Sequence, residues 1–122
     1  MPLVVLTGPI IAAGQSLSDA IDVNGDMVRI TMPAGWTPAN LTFQISTDGE
    51  GYNDLFNPLG QEIMLPVVPG TAVIVPVEMT RAIRFIKFRS GRRDFPVVQE
   101  EQRDFAVAVQ QAAPPQARRS VK

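Results

Sequence analysis

The side chains with chemical reach in this chain are carboxylates and cations. Glu100 and Glu101, with Asp94 and Asp104 nearby, form the densest acidic group, and two carboxyls at a set separation are what glycoside hydrolysis requires. Adjacent residues of an extended chain point to opposite faces, however, so Glu100 and Glu101 cannot act jointly on a strand. They are expected to be solvated, or to pair with Arg92, Arg93 or Arg103. Ser46-Thr-Asp-Gly-Glu-Gly51, followed by Asp54, offers oxygen ligands in a Gly-rich loop of the kind calcium favours. Its spacing is not that of an EF-hand, and Asp-Gly is an ordinary turn dipeptide. The chain contains no His and no Cys, which removes the Ser-His-Asp triad, the thiolate nucleophile and the usual zinc, haem and iron–sulfur ligand sets. The expectation is a protein that is not an enzyme, with no catalytic residues, metal or cofactor.

Binding is the remaining class of function. Arg89, Arg92 and Arg93 surround Ser90-Gly91 as the basic cluster of the main body. Up to residue 110 there are 8 Lys+Arg against 12 Asp+Glu, a net charge of −4. A nucleic-acid surface needs a broad positive field with interleaved aromatics, so no nucleic-acid partner is expected. Arginine is enriched at protein–protein contacts, and Arg92 and Arg93 are read as partner-contact residues. Trp36, Tyr52 and Phe56 could stack on a sugar, although a single Trp and a single Tyr are as readily used in packing.

The last residues differ in kind. Gln110 to Lys122 reads QQAAPPQARRSVK, without an aromatic residue and with Arg118, Arg119 and Lys122 supplying +3, so the total of −1 joins an acidic body to a basic end. Pro114-Pro115 favours extended polyproline geometry. Two readings follow from the composition: a disordered terminus, or residues 111–122 as an extended arm that docks on a neighbour through Pro114, Pro115, Arg118, Arg119 and Lys122. The second is the expectation here, with residues 1–110 as the domain that carries the arm.

The elements that would position these groups are strands. Proline and glycine interrupt the chain every 8 to 15 residues, and Val, Ile, Phe and Thr nearly alternate between them. Strands are expected at Val4–Thr7, Ala20–Val23, Asp26–Met32, Leu41–Thr47, Tyr52–Phe56, Glu62–Leu65, Thr71–Val77, Ala82–Arg89 and around Phe105–Val109. Asn24-Gly25 suits a type I′ turn and predicts a hairpin between the second and third of these. Apolar residues on both sides of Ala82–Arg89 point to a strand inside a sandwich or at a subunit contact. No helix is expected, save a possible single turn at Trp36. Some eight short antiparallel strands fit an all-β antiparallel sandwich, and the jelly roll is the expected form. The apolar first fourteen residues precede the first basic side chain, Arg29, and are broken by Gly8 and Pro9, so they read neither as a signal peptide nor as a span. A soluble chain with no membrane partner is expected.

Two blocks carry a resemblance. Val28-Arg-Ile-Thr-Met-Pro-Ala-Gly-Trp-Thr-Pro-Ala-Asn-Leu-Thr-Phe-Gln-Ile-Ser-Thr-Asp-Gly49 with Tyr52-Asn-Asp-Leu-Phe56, then Ile83-Arg-Phe-Ile-Lys-Phe-Arg-Ser-Gly91 with Pro96-Val-Val-Gln99, resemble small proteins encoded in the structural gene clusters of tailed phages and prophages. The Ser-x-Asp-Gly turn is also similar to that of galactose-binding-like jelly rolls of the discoidin type. The first resemblance implies a virion structural protein, made in the bacterial cytoplasm, that decorates the capsid or sits at the neck or tail among other virion proteins and forms a homo-oligomer. A carbohydrate-binding module on the virion surface, using Trp36 and Tyr52, is the alternative. The segment after Gln110 lies outside the resemblance.

Overall fold

Val-, Ile- and Phe-rich segments with a two-residue period bury one side each, and the fold stacks those sides face to face. The structure, a computed structural model, describes residues 3–111. Its strands are β1 (Leu3–Ile11), β2 (Leu17–Asp22), β3 (Asp26–Thr31), β4 (Leu41–Ser46), β5 (Asn53–Asp54), β6 (Ala72–Ile74), β7 (Phe85–Arg92), β8 (Phe95–Pro96) and β9 (Arg103–Gln110). One sheet has the order β1-β9-β3-β6 and the other β2-β7-β4-β5, with β8 added to β7. Every pairing is antiparallel. Successive strands cross from sheet to sheet except in the β4–β5 hairpin and at β8, and the last strand returns beside the first. This is the jelly roll expected from the turn spacing.

The core lies between the sheets. Phe43 and Phe88 meet edge to face with ring centroids 5.4 Å apart, Phe88 meets Phe105 at 5.2 Å, and Phe105 meets Trp36 at 5.5 Å. Ile11, Ile30, Leu41, Ile86, Val107 and Val109 fill the space around them and are fully buried. Truncating a buried aromatic in such a layer costs roughly 3–5 kcal/mol, so this four-ring chain fixes how the two sheets face each other.

Several local expectations change. Asn24-Gly25 does not close a hairpin: β2 and β3 belong to different sheets, and the dipeptide forms an arch between them. Asn24 does take the positive φ, 49°, that its type tolerates. A Cβ on Gly25 would stand 2.7 Å from the Gln110 carbonyl oxygen and 2.8 Å from Val109. Gly25, at φ 158°, does not take the second position of a type I′ turn; the flanking Val23 and Met27 are both buried, and pairing with β7 and β9 decides where the strands go. Thr71–Val77 is strand only over Ala72–Ile74, because Pro76 cannot donate to a ladder and instead precedes the single helical turn α1 (Val77–Thr80). That turn was not expected. Trp36 stands in a hydrogen-bonded turn, its N–H donating to the Pro33 carbonyl at 3.3 Å, and not in a helix. Glu62–Leu65 makes isolated bridges, Phe56 with Glu62 and Leu41 with Leu65, and no strand. The strand expected at Ala82–Arg89 begins at Phe85, since Ala82 holds a left-handed φ of 61°, and it runs on to Arg92.

Candidate functional site

On the β2-β7-β4-β5 sheet most of the outward side chains are polar, Phe85 and Ala20 excepted. The register sets Thr42 beside Arg89, Gln44 beside Lys87 and Ser46 beside Phe85, and Gln44 beside Asp54. Arg89 is the centre of an ion cluster. Its guanidinium meets Asp54 and, at 3.2 Å, Glu62, while only 7% of its side chain is exposed. Arg93 Nε donates to the other Asp54 oxygen at 2.9 Å, its backbone N–H donates to Glu62, and its guanidinium lies 5.7 Å from the centre of the Phe56 ring. Partial burial works against the Asp54 charge, but the hydrogen bond from Arg93 and the charge of Arg89 outweigh it and hold this carboxyl below its ordinary range. The hydrogen bond to Asp54 and the negative charge of Asp54 raise Arg93 in turn. The cluster binds the 54–62 segment to the β7–β8 turn. Gly91 makes that turn possible: its φ is 89°, and a Cβ there would lie 2.7 Å from both the Phe95 carbonyl oxygen and the Val97 nitrogen. Beside the cluster opens a cleft of about 410 Å³ lined by Phe56, Gln61, Glu62, Met64, Arg92 and Arg93 among others.

The two arginines expected to contact a partner thus differ. Arg93 is bonded to Asp54 and Glu62 while its side chain stays 54% exposed. Arg92 is exposed and makes no ion pair among the described residues. Of the two states expected for Glu100 and Glu101, solvated or paired with Arg92, Arg93 or Arg103, the described residues show the first. Glu100 and Glu101 are exposed, and Arg103 donates to Gln99 Oε1 at 2.9 Å instead. Asp48 folds its own loop, its Oδ1 accepting from the Glu50 and Gly51 N–H groups at 2.8 and 3.2 Å; those backbone bonds keep its pKa low. Among the described residues no three acidic side chains converge as metal ligands would, and no helix is long and apolar enough to cross a membrane.

Trp36 and Tyr52 do not form a platform for a sugar. Trp36 is 2% exposed, its indole N–H donates to the Ala39 carbonyl at 3.0 Å, and its ring packs on Phe105. The Tyr52 ring is covered on one face by the Lys87 ammonium, 4.4 Å from its centre. Pro114, Pro115, Arg118, Arg119 and Lys122 lie outside the described residues.

Two features were not read from the sequence. Gln99 is fully buried and uses every polar atom. Its amide oxygen accepts from Thr37 N–H and Arg103, its amide nitrogen donates to the Thr37 carbonyl and Ser90 Oγ, and its backbone bonds to Gly14 and Gln15. This residue thereby joins the loop at Thr37 to β7 and β9 through its side chain and to the loop at Gly14 through its backbone, and only a Gln within a Val-Val-Gln-Glu run signalled it. The other feature is the edge of the β1-β9-β3-β6 sheet. Along Leu3–Thr7, β1 pairs with β9 alone, so alternate N–H and C=O groups point outward. Leu3 and Val5 are 56% and 61% exposed, opposite Gln110 and Ala108 of β9.

No family model matches this chain, and comparison with curated proteins and with solved structures finds none similar to it.

Proposed function

We propose that this chain is a non-enzymatic structural protein of a tailed-phage particle, made in the bacterial cytoplasm and held on the capsid, connector or tail by contacts of its surface. The resemblance of the Val28–Phe56 and Ile83–Gln99 blocks supports the setting. The jelly roll supports the role, being an architecture on which viral capsid proteins are built. The observation that carries the reading is the bare, uncharged run Leu3–Thr7 at a sheet edge, a surface equipped to bond another polypeptide. The cations and carboxylates that might act on a small molecule are instead bonded to each other in the Arg89 cluster. Within the reading, the basic end of the chain is an arm that adds contact area on a neighbouring subunit.

The test is to tag the chain in its source strain, induce particle formation and band the particles on a density gradient. The chain is expected in the particle band at a fixed copy number, and removal of residues 111–122 is expected to lower that number. Recovery only at the top of the gradient, with soluble protein, would overturn the proposal.

A further inference from the structure

We infer that β1 is a self-pairing edge through which two copies of this chain join into one continuous sheet. The argument starts from how the other edges are protected. β2 carries Asp19 and Asp22 and its register with β7 is broken between Leu17 and Ala20. β5 is two residues long and its Asp54 is held in the Arg89 cluster. β6 is three residues long and is followed by Pro76. β8 is two residues long and includes Pro96. Short length, charge, proline and irregular register are the devices by which sheet edges avoid pairing with other chains. The run Leu3-Val-Val-Leu-Thr7 has none of them: it contains no charge and no proline, and only beyond it does the register shift, at Gly8-Pro9. From Ile10 the edge is occupied, since the Ile10 N–H donates to Asp19 Oδ1 at 2.8 Å.

The occupant that fits is a second β1. An antiparallel pair related by a two-fold axis at Val5, the middle of the open run, sets Val5 against Val5, Leu3 against Thr7 and Val4 against Leu6. No charge meets a charge or is buried, and isologous pairing of this kind closes into a dimer. A strand bearing an Asp or Lys would instead place that charge beside Leu3 and Val5. The whole chain has a net charge of only −1, so long-range repulsion between copies is weak. The result is the eight-strand order β6-β3-β9-β1-β1-β9-β3-β6. Five paired residues are a small contact beside the roughly 1,200–2,000 Å² of a stable interface, so the dimer in isolation is weak, with a Kd on the order of tens of micromolar. This inference does not depend on the phage setting.

The test uses the full chain, Val5→Lys and Val5→Glu in sedimentation velocity from about 5 to 500 µM, with far-UV circular dichroism showing that each variant is folded. The wild type is expected to pass from monomer to dimer. Each variant alone is expected to remain monomeric, because residue 5 faces its own copy, and an equimolar mixture of the two is expected to recover a dimer. A wild type that stays monomeric at 500 µM overturns the inference. So does a Val5→Lys protein that dimerises as the wild type does, or a mixture that fails to recover the dimer. Removal of residues 112–122 is expected to leave dimerisation unchanged; if only the shortened chain dimerises, the edge belongs to the chain's own end and the inference is wrong.

Discussion

On the β2-β7-β4-β5 sheet, outward side chains meet a partner within the same molecule: Arg89 meets Asp54 and Glu62, Arg93 meets Asp54, Lys87 lies on Tyr52, and Phe85 is covered by Arg84 and the turn at Gly49. On the β1-β9-β3-β6 sheet, the corresponding positions of β1 end in water as Leu3 and Val5. Both sheets bury the same kind of residue inward. They differ in what the loops do outside. The 47–62 segment folds over the first sheet and is tied down by charge, whereas nothing among the described residues crosses the open run of β1. A sheet face tied by internal ion pairs contributes to folding; a face and edge left apolar and unpaired contribute to association.

Breaking the charged side should cost stability. Arg89→Ala leaves the partly buried Glu62 without its cation and Asp54 with Arg93 alone, which typically costs about 3 kcal/mol, so the thermal midpoint should fall by roughly 10–20 °C; a fall of only a degree or two would mean that the cluster is ornamental. Gln99→Ala removes the side-chain bonds to Thr37, Ser90 and Arg103, for an expected loss of about 2 kcal/mol in urea unfolding. It should not alter association, because Gln99 lies by the Ile11 end of β1 and not by the open run Leu3–Thr7.

The charged side should also fail in acid. Asp54 titrates below its ordinary value when folded, so its contribution is complete above the unfolded carboxyl range, around pH 5 and higher, and is lost as pH falls through about 4 toward the folded value. Asp54→Asn should be less stable at neutral pH and flatter below pH 5 than the wild type. Equal slopes for the two proteins would remove Asp54 from the account. The smallest effects belong to exposed positions. Val5→Lys should change monomer stability by no more than about 0.5 kcal/mol. Arg84→Ala should leave the thermal midpoint unmoved, since its pair with Asp22 is a surface one, 63% and 43% exposed.

Much of the fold is legible in local pattern. Leu41, Phe43 and Ile45 alternate with Thr42, Gln44 and Ser46, and the strand is found at Leu41–Ser46; Phe105, Val107 and Val109 face inward on β9 as their spacing implies. Turn spacing reached the jelly roll. What depends on distant partners was not legible. Asn24-Gly25 looks the same in a hairpin and in an arch between sheets, and only β7 and β9 choose. Arg93 lies one residue from Arg92, yet the register that brings Asp54 and Glu62 to one and no acidic partner among the described residues to the other is set some thirty residues away. Packing was a reading open to Trp36 from the sequence, but its partner Phe105, some seventy residues away, was not. The edge at β1 is a property of strand order, which no stretch of residues contains.

The contrast between the two sheets can be read directly by amide hydrogen exchange of the full chain at about 5 µM and at about 500 µM. The expected result is that amides of Leu3–Thr7 exchange quickly in the dilute sample and become protected in the concentrated one, while amides of β2, β4 and β5 exchange alike in both. Protection that rises around 54–62 and Arg93 with β1 unchanged, or no concentration dependence anywhere, would contradict it.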